Sequence, residues 1–150
     1  MGAVTYPDSR VAEFINNRVI PVQLLFDSQP YASMYNVKWT PTILMLDDGG
    51  KEHHRIVGFL PPEEFIPGLL LGMAKVNFDR DSLGQADGDV EKIINSYPQS
   101  AAAPEAIYLR GVIQYKETHN PQPLKEAFEK LRREHPTSEW SKRAMPYGLL

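Results

Sequence analysis

The chain of 150 residues contains no cysteine. This absence excludes disulfide bonds, because no pair of sulfur atoms is present to form one. It also excludes a thiolate nucleophile and any zinc or iron–sulfur centre that cysteine ligands would hold. The absence does not identify a compartment. Thiol chemistry is therefore not expected from these side chains.

The sequence also lacks an excess of basic charge and a long apolar run. The 16 Lys and Arg residues are outnumbered by 19 Asp and Glu residues, and the net charge is −3. A nucleic-acid-binding surface would need a basic stripe instead. The longest apolar stretches, residues 19–26 and 67–76, are far shorter than the roughly 20 residues that span a bilayer. The first residues lack the basic start and apolar core of a signal peptide. We expect no nucleic-acid partner, no membrane segment and a cytoplasmic location.

No motif indicates catalysis or metal binding. The neighbours His53 and His54 would point to opposite faces of a strand, so they cannot easily bind one metal, and a solvated hairpin arm is the expected setting. Two pairs of acids lie where the local backbone favours them, in a hairpin turn and in the first turn of a helix: Asp47, Asp48, Glu63 and Glu64. No serine lies in a nucleophile motif. We expect no catalytic residue, no metal, no cofactor and no enzymatic activity.

A helix and a strand are predicted in the first 30 residues. Asp8 can cap a helix over residues 9–17, whose apolar residues share one face. The nearly continuous apolar run at residues 19–26 predicts a strand that is buried on both faces. Pro21 within this run lacks a donor and favours an edge or a strand start. A short helix is expected at residues 30–36.

The most informative stretch is a predicted β-hairpin. The β-branched, apolar residues 42–46 predict a strand, the Asp-Asp-Gly-Gly sequence predicts a turn, and a return strand follows at residues 51–58. The sequence Val-x-x-Thr-Pro-Thr precedes this hairpin, and Gly-Phe ends it. Together these residues resemble the second half of the thioredoxin fold. The resemblance implies an α/β unit over about residues 1–77, with Pro41 as the cis-proline that faces a Cys-x-x-Cys motif. That motif is absent.

The resemblance also implies that a central strand is missing. In the family this strand lies between those that correspond to residues 19–26 and 42–46. Its loss leaves two edges with unpaired N–H and C=O groups. The two strands can pair directly in antiparallel fashion, a second copy can pair with the open edge, or residues 1–6 can substitute. We favour the first two outcomes, because three β-forming residues replace a core strand poorly.

The second half of the chain is predicted to be helical and contains an internal repeat. The sequence Tyr-Pro-Gln-Ser at 97–100 has a counterpart, His-Pro-Thr-Ser, 38 residues later, and each is followed by an alanine six positions after its serine. Proline would stop one helix and serine would cap the next. The pattern resembles tetratricopeptide repeats of about 34 residues, and Gly111 falls where two helices would approach closely.

The predicted fold class is therefore α/β followed by all-α. A truncated thioredoxin-like βαβ-type sheet with a β-hairpin would occupy residues 1–77. A tetratricopeptide-like helical tail would occupy residues 62–150. The two units would share the helix at residues 62–77 and so form one rigid body.

Two sets of residues are candidates for peptide binding. Trp39, Thr40 and Pro41 form the loop that, in thioredoxin relatives, presents its backbone to an extended peptide. Tyr108 and Tyr115 lie seven residues apart on one helix face, as in a repeat groove, although helical spacing alone favours core packing. These features predict a redox-inactive protein-interaction module. Its partners would be protein or peptide, including a second copy bound through the open sheet edge.

Two other hypotheses stay open at the level of sequence. The chain can be the C-terminal remnant of a thiol–disulfide oxidoreductase whose Cys-x-x-Cys motif lies upstream. It can also be a structural subunit whose open edge is covered by a partner chain.

Overall fold

The computed structural model describes residues 1–150. It contains seven α-helices, two strands and a terminal 3₁₀ helix. In chain order these are α1 (Ser9–Arg18), α2 (Tyr31–Met34), β1 (Thr42–Leu46), β2 (Glu52–Val57), α3 (Pro62–Asp79), α4 (Leu83–Ser96), α5 (Ala103–Thr118), α6 (Gln122–Glu134), α7 (Glu139–Arg143) and the 3₁₀ helix Met145–Leu149. The predicted order, an α/β unit followed by helices alone, is confirmed. None of the helices is both long enough and apolar enough to serve as a membrane span.

Local sequence signals explain where α1 and α3 begin. The Asp8 carboxylate accepts hydrogen bonds from two backbone N–H groups in the first turn of α1, as predicted for a capping residue. Helix α3 begins at Pro62, whose missing N–H is not needed in a first turn. Glu63 and Glu64 follow it, where acidic side chains meet the positive end of the helix dipole.

Strands β1 and β2 form an antiparallel hairpin, as predicted. Thr42 lies opposite Val57, and the register continues to a bulge after Met45. Asp47 closes the turn, because its Oδ1 accepts hydrogen bonds from the backbone N–H groups of Gly49 and Lys51 at 2.9 Å each. The sheet contains only these two strands.

Helix α3 joins the hairpin to the helical half. It packs against both strands on one side and against α4 on the other. Gly72 permits the close approach to the sheet, because a Cβ at this position would collide with Met45. Twenty buried side chains from α1, α3 and the later helices form one continuous hydrophobic cluster. The hairpin is therefore attached to the helical core through α3.

Each helix from α3 to α6 packs against the next one in the chain. Gly111 faces α6 closely, since a Cβ there would lie 2.7 Å from the Cβ of Ala127. Ser138 caps α7 as predicted, because its hydroxyl accepts a hydrogen bond from the Ser141 N–H. The predicted cap at Ser100 is wrong. Helix α5 begins three residues later, and the Ser100 hydroxyl donates back to the Tyr97 carbonyl instead.

Residues 19–26 do not form a strand, so this prediction is wrong. These residues are irregular and exposed, with Ile20 at 93% and Leu25 at 77% exposure. An apolar run becomes a buried strand only where a neighbouring strand supplies hydrogen-bond partners. No strand lies beside it, and Pro21 lacks a donor of its own.

Direct pairing of residues 19–26 with β1 does not occur in the single chain, since β1 pairs only with β2. Residues 1–6 do not substitute as a strand either. They form turns in which three backbone N–H groups donate to the Met1 carbonyl. Thr5 is buried, and its hydroxyl donates to the Leu60 carbonyl at 2.6 Å. The N-terminal residues therefore pack beside the start of α3 rather than in the sheet.

Candidate functional site

The outer edge of β1 is open. The Gly58 N–H donates to the Pro41 carbonyl at 2.8 Å, so the backbone of Pro41 faces β2. Successive residues of a strand direct their backbone N–H and C=O groups to opposite sides. Ile43 and Met45 therefore direct their backbone groups to β2, whereas Thr42 and Leu44 direct theirs outward. No strand pairs on that side. We call this row of outward backbone groups the open edge.

The outer edge of β2 differs because it carries charge. Arg55 forms an ion pair with Glu52 at 2.7 Å and donates to the Tyr35 carbonyl on the adjoining loop. Charged side chains of this kind hinder strand addition. The open edge of β1 has no such feature along Thr42–Leu46 and is the better acceptor.

The loop of Trp39, Thr40 and Pro41 leads directly into the open edge. Trp39 is 74% exposed, and its carbonyl accepts a hydrogen bond from the Thr42 hydroxyl at 2.6 Å. The Thr40–Pro41 peptide bond is cis. The three loop candidates from the sequence therefore lie together, beside unpaired backbone groups and on the surface.

Residues 19–26 provide a second unpaired backbone. None of the N–H groups from Ile20 to Phe26 donates a backbone hydrogen bond, and only the Leu25 carbonyl accepts one, from Ser28. Five large apolar side chains in this run are more than half exposed: Ile20, Val22, Leu24, Leu25 and Phe26. We call residues 19–26 the apolar segment. Contiguous apolar exposure of this kind is typical of an interaction surface.

His53 is buried between two carboxylates, so the predicted solvated setting is wrong for it. Its Nε2 lies 2.9 Å from Asp47 Oδ2, and its Nδ1 lies 2.6 Å from Asp79 Oδ2. The hydrogen bonds with Asp47 and then Asp79 raise the pKa of His53. The sequence pattern missed this contact because Asp79 is 26 residues away. Through these two hydrogen bonds, His53 links the hairpin turn to the end of α3.

His54 points to the opposite face, as predicted. Its Nδ1 lies 3.1 Å from the Nζ of Lys75, which also pairs with Glu105 at 2.5 Å. Burial, and next the positive charge of Lys75, lower the pKa of His54 to about 4. The two rings therefore share no ligand position. No group of three or more His, Asp or Glu side chains is arranged to hold a metal ion.

The two tyrosine candidates have different settings. Tyr108 packs on the Trp140 ring with centroids 5.1 Å apart, and its hydroxyl bonds that of Tyr147 at 2.8 Å. Burial, followed by this hydrogen bond, raises the pKa of Tyr147 to about 12. Tyr115 is 40% exposed and lies beside the His119 ring. Tyr115 is therefore the more accessible of the two.

A polar cleft lies where α1 meets α3 and α4. Asp89 is buried there, and its two oxygens accept from Arg18 at 2.8 Å and Asn77 at 3.1 Å. Burial raises the pKa of Asp89 although Arg18 opposes this change. Because both oxygens already have protein partners, the cleft serves to join the helices.

One comparison with known families gives a match. Residues 3–70 match the model described as a thioredoxin-like domain. No curated protein and no solved structure matches the chain. The N-terminal part of the chain is therefore a thioredoxin-like domain. Because its sequence contains no cysteine, its own side chains cannot perform thiol–disulfide exchange.

Proposed function

We propose that this chain is a redox-inactive protein-interaction module, in which the open edge of β1 binds an extended strand from a protein or peptide partner. The observation that carries the proposal is the outward backbone of Thr42 and Leu44, which has no strand beside it. Backbone groups of this kind give affinity in strand addition, and neighbouring side chains give selectivity. Exposed Trp39 is positioned to contact the side chains of a bound strand.

A change in the open edge itself tests this proposal. Leu44→Pro removes one outward N–H without removing a hydrogen bond between β1 and β2. We expect it to weaken the binding of a fluorescent, nine-residue Val/Thr-alternating peptide by about tenfold, the value of one hydrogen bond. Fluorescence anisotropy measures the dissociation constant, and circular dichroism reports the fold.

Val57→Pro is the matched control, because Val57 directs its N–H to the outer edge of β2. Its peptide affinity should equal that of the unchanged chain. Tyr115→Ala tests the helical candidate in the same assay. Loss of binding in Tyr115→Ala, with Leu44→Pro unaffected, would assign the peptide to the helical surface and contradict the proposal.

We also propose that the helices from α3 onward form a tetratricopeptide-like region that shares α3 with the thioredoxin-like unit. Packing of each helix on the next and the close approach at Gly111 support this division. In this arrangement α3 would hold the open edge in a fixed position relative to the helical surface. We also propose a cytoplasmic location for the chain.

A second candidate function has one observation in its favour. The open edge would also accept a strand from a segment that precedes Met1, and such a segment can carry a Cys-x-x-Cys motif. The chain would then be the C-terminal part of a thiol–disulfide oxidoreductase. Reading the DNA in frame upstream of Met1 tests this: a strand pattern with that motif supports it, and a nearby in-frame stop codon opposes it.

A further inference from the structure

The apolar segment is long enough to cover the open edge. Strand β1 contains five residues, Thr42–Leu46, and is about 17 Å long. The apolar segment contains eight residues and would extend over about 27 Å as a strand. It can therefore span the whole of β1, with residues to spare for a shift in register.

The exposed charges beside the two pieces favour one orientation. In an antiparallel pair, Asp27 would approach Lys38. A parallel pair would instead bring Asp27 towards the acidic hairpin turn at Asp48. All three of these side chains are exposed. Opposite charges across strands stabilise a pair and like charges destabilise it. Antiparallel pairing is therefore favoured.

Pro21 restricts the register. It has no N–H, so it cannot lie opposite Thr42 or Leu44, whose backbone groups need partners on the open edge. Within β1 it must therefore lie opposite Ile43 or Met45, whose backbone groups bond to β2. Val22 then lies opposite Thr42 in one register and opposite Leu44 in the other. In both registers the N–H of Val22 faces the open edge and that of Gln23 faces away.

We propose that two copies of this chain exchange strands, with the apolar segment of each copy paired antiparallel to the open edge of the other. The inference rests on the proposed function, because it names the occupant of the same edge. Within one chain the donor and the acceptor both stay unpaired. A two-fold exchange gives partners to both open edges and to the row of backbone groups in each apolar segment that faces them. It also closes the assembly rather than building a filament.

Two proline variants of the full chain test the exchange. Light scattering over a concentration series should give twice the 17.0 kDa chain mass. Val22→Pro removes one inter-strand hydrogen bond from each of two equivalent contacts. At about tenfold per bond, it should raise the dimer dissociation constant about 100-fold. Gln23→Pro, the matched control, should change it less than about threefold because its N–H faces away. Both positions lie outside every helix and strand of the single chain, so the helical circular dichroism signal should be unchanged.

A disulfide trap identifies the donor chain, and the absence of natural cysteines makes it unambiguous. Val22→Cys is combined either with Thr42→Cys or with Leu44→Cys, one for each allowed register. Mild oxidation should join two chains covalently in one of these variants. A link formed within a single chain would overturn the exchange.

A chain that stays monomeric at all concentrations would also overturn it, as would a dimer that Val22→Pro leaves intact. The dimer would occupy the edge that the peptide needs, so the peptide assay with Leu44→Pro is made at chain concentrations at which light scattering gives the monomer mass. A monomer that binds the peptide through the open edge would refute the exchange alone.

Discussion

Two neighbouring histidines on β2 have opposite environments because successive side chains in a strand alternate between faces. His53 bonds two carboxylates, which favour its charged form and raise its pKa. His54 is half-buried beside Lys75, and burial followed by the charge of Lys75 favours its neutral form and lowers its pKa to about 4. The two rings therefore make stability depend on pH in opposite directions.

We predict that His54→Gln reduces the loss of stability on acidification. The unfolded His54 takes up a proton near its ordinary pKa of 6.5, whereas the folded ring does so only near 4. The unfolded state therefore binds more protons between these values, and stability falls as pH falls. Because the His54 ring is partly solvated, it should account for a loss of about 1–2 kcal/mol in the free energy of unfolding between these pH values. Urea unfolding at several pH values measures the difference.

His119→Gln is the control for the substitution itself, because His119 is exposed just after the end of α5. At neutral pH it should change the free energy of unfolding by less than about 0.5 kcal/mol. His53→Gln should act in the other direction. The stabilisation from protonated His53 is complete below about pH 6.5 and is lost as pH rises through its raised pKa, so this variant should lack that alkaline decline. Equal acid slopes in His54→Gln and the unchanged chain would contradict the prediction.

At the scale of elements, the spacing between α5 and α6 depends on a missing side chain. A Cβ at Gly111 would lie 2.7 Å from the Cβ of Ala127 and 3.0 Å from the Pro123 carbonyl oxygen. A backbone atom cannot rotate away as a flexible side chain can. The two helices would have to separate to admit even one methyl group.

We predict that Gly111→Ala destabilises the protein although alanine is the better helix former. The collision should cost about 1–3 kcal/mol and exceed the gain of about 1 kcal/mol in helix propensity. Gly88→Ala in α4 is the matched control, because a Cβ there meets nothing within 4 Å. It should stabilise by about 0.5–1 kcal/mol. Thermal and urea unfolding compare the two, and a stabilising Gly111→Ala would show that the helices separate freely.

At the scale of the whole molecule, α3 makes the two halves depend on each other. Leu70 is fully buried in the middle of this helix and belongs to the continuous core. The same helix contains Gly72, whose missing side chain leaves room for Met45 of the sheet. Loss of packing at α3 should therefore weaken the hairpin and the helices together.

We predict that Leu70→Ala lowers the free energy of unfolding by about 2–5 kcal/mol and keeps a single transition. Far-ultraviolet circular dichroism, which reports the helices, and hydrogen exchange at Ile43, which reports the sheet, should show the same loss. Leu149→Ala is the control, because Leu149 is 90% exposed; its effect should stay within about 0.5 kcal/mol. Separate transitions for sheet and helices would mean that α3 does not couple them.

Short-range patterns predicted much of the fold. The hairpin at Thr42–Leu46 followed from its β-branched residues and turn sequence, and α1 followed from its Asp8 cap. Residues 19–26 were predicted wrongly because apolar character indicates a need for burial, not the presence of a neighbour. His53 was predicted wrongly for the same reason, since its partner Asp79 lies on another element. The candidate loop at Trp39 was identified because the sequence around it resembles the thioredoxin family.

The sequence by itself determined what depends on residue identity and on neighbours a few positions away. This includes the absence of cysteine chemistry, the hairpin turn and the helix starts. Only the tertiary structure decided which backbone groups find partners. Whether β1 has an open edge and whether the apolar segment is covered depend on groups distant in the chain meeting in space. Hydrogen bonding and burial depend on contacts between residues that are distant in the chain, so a local sequence pattern cannot determine them.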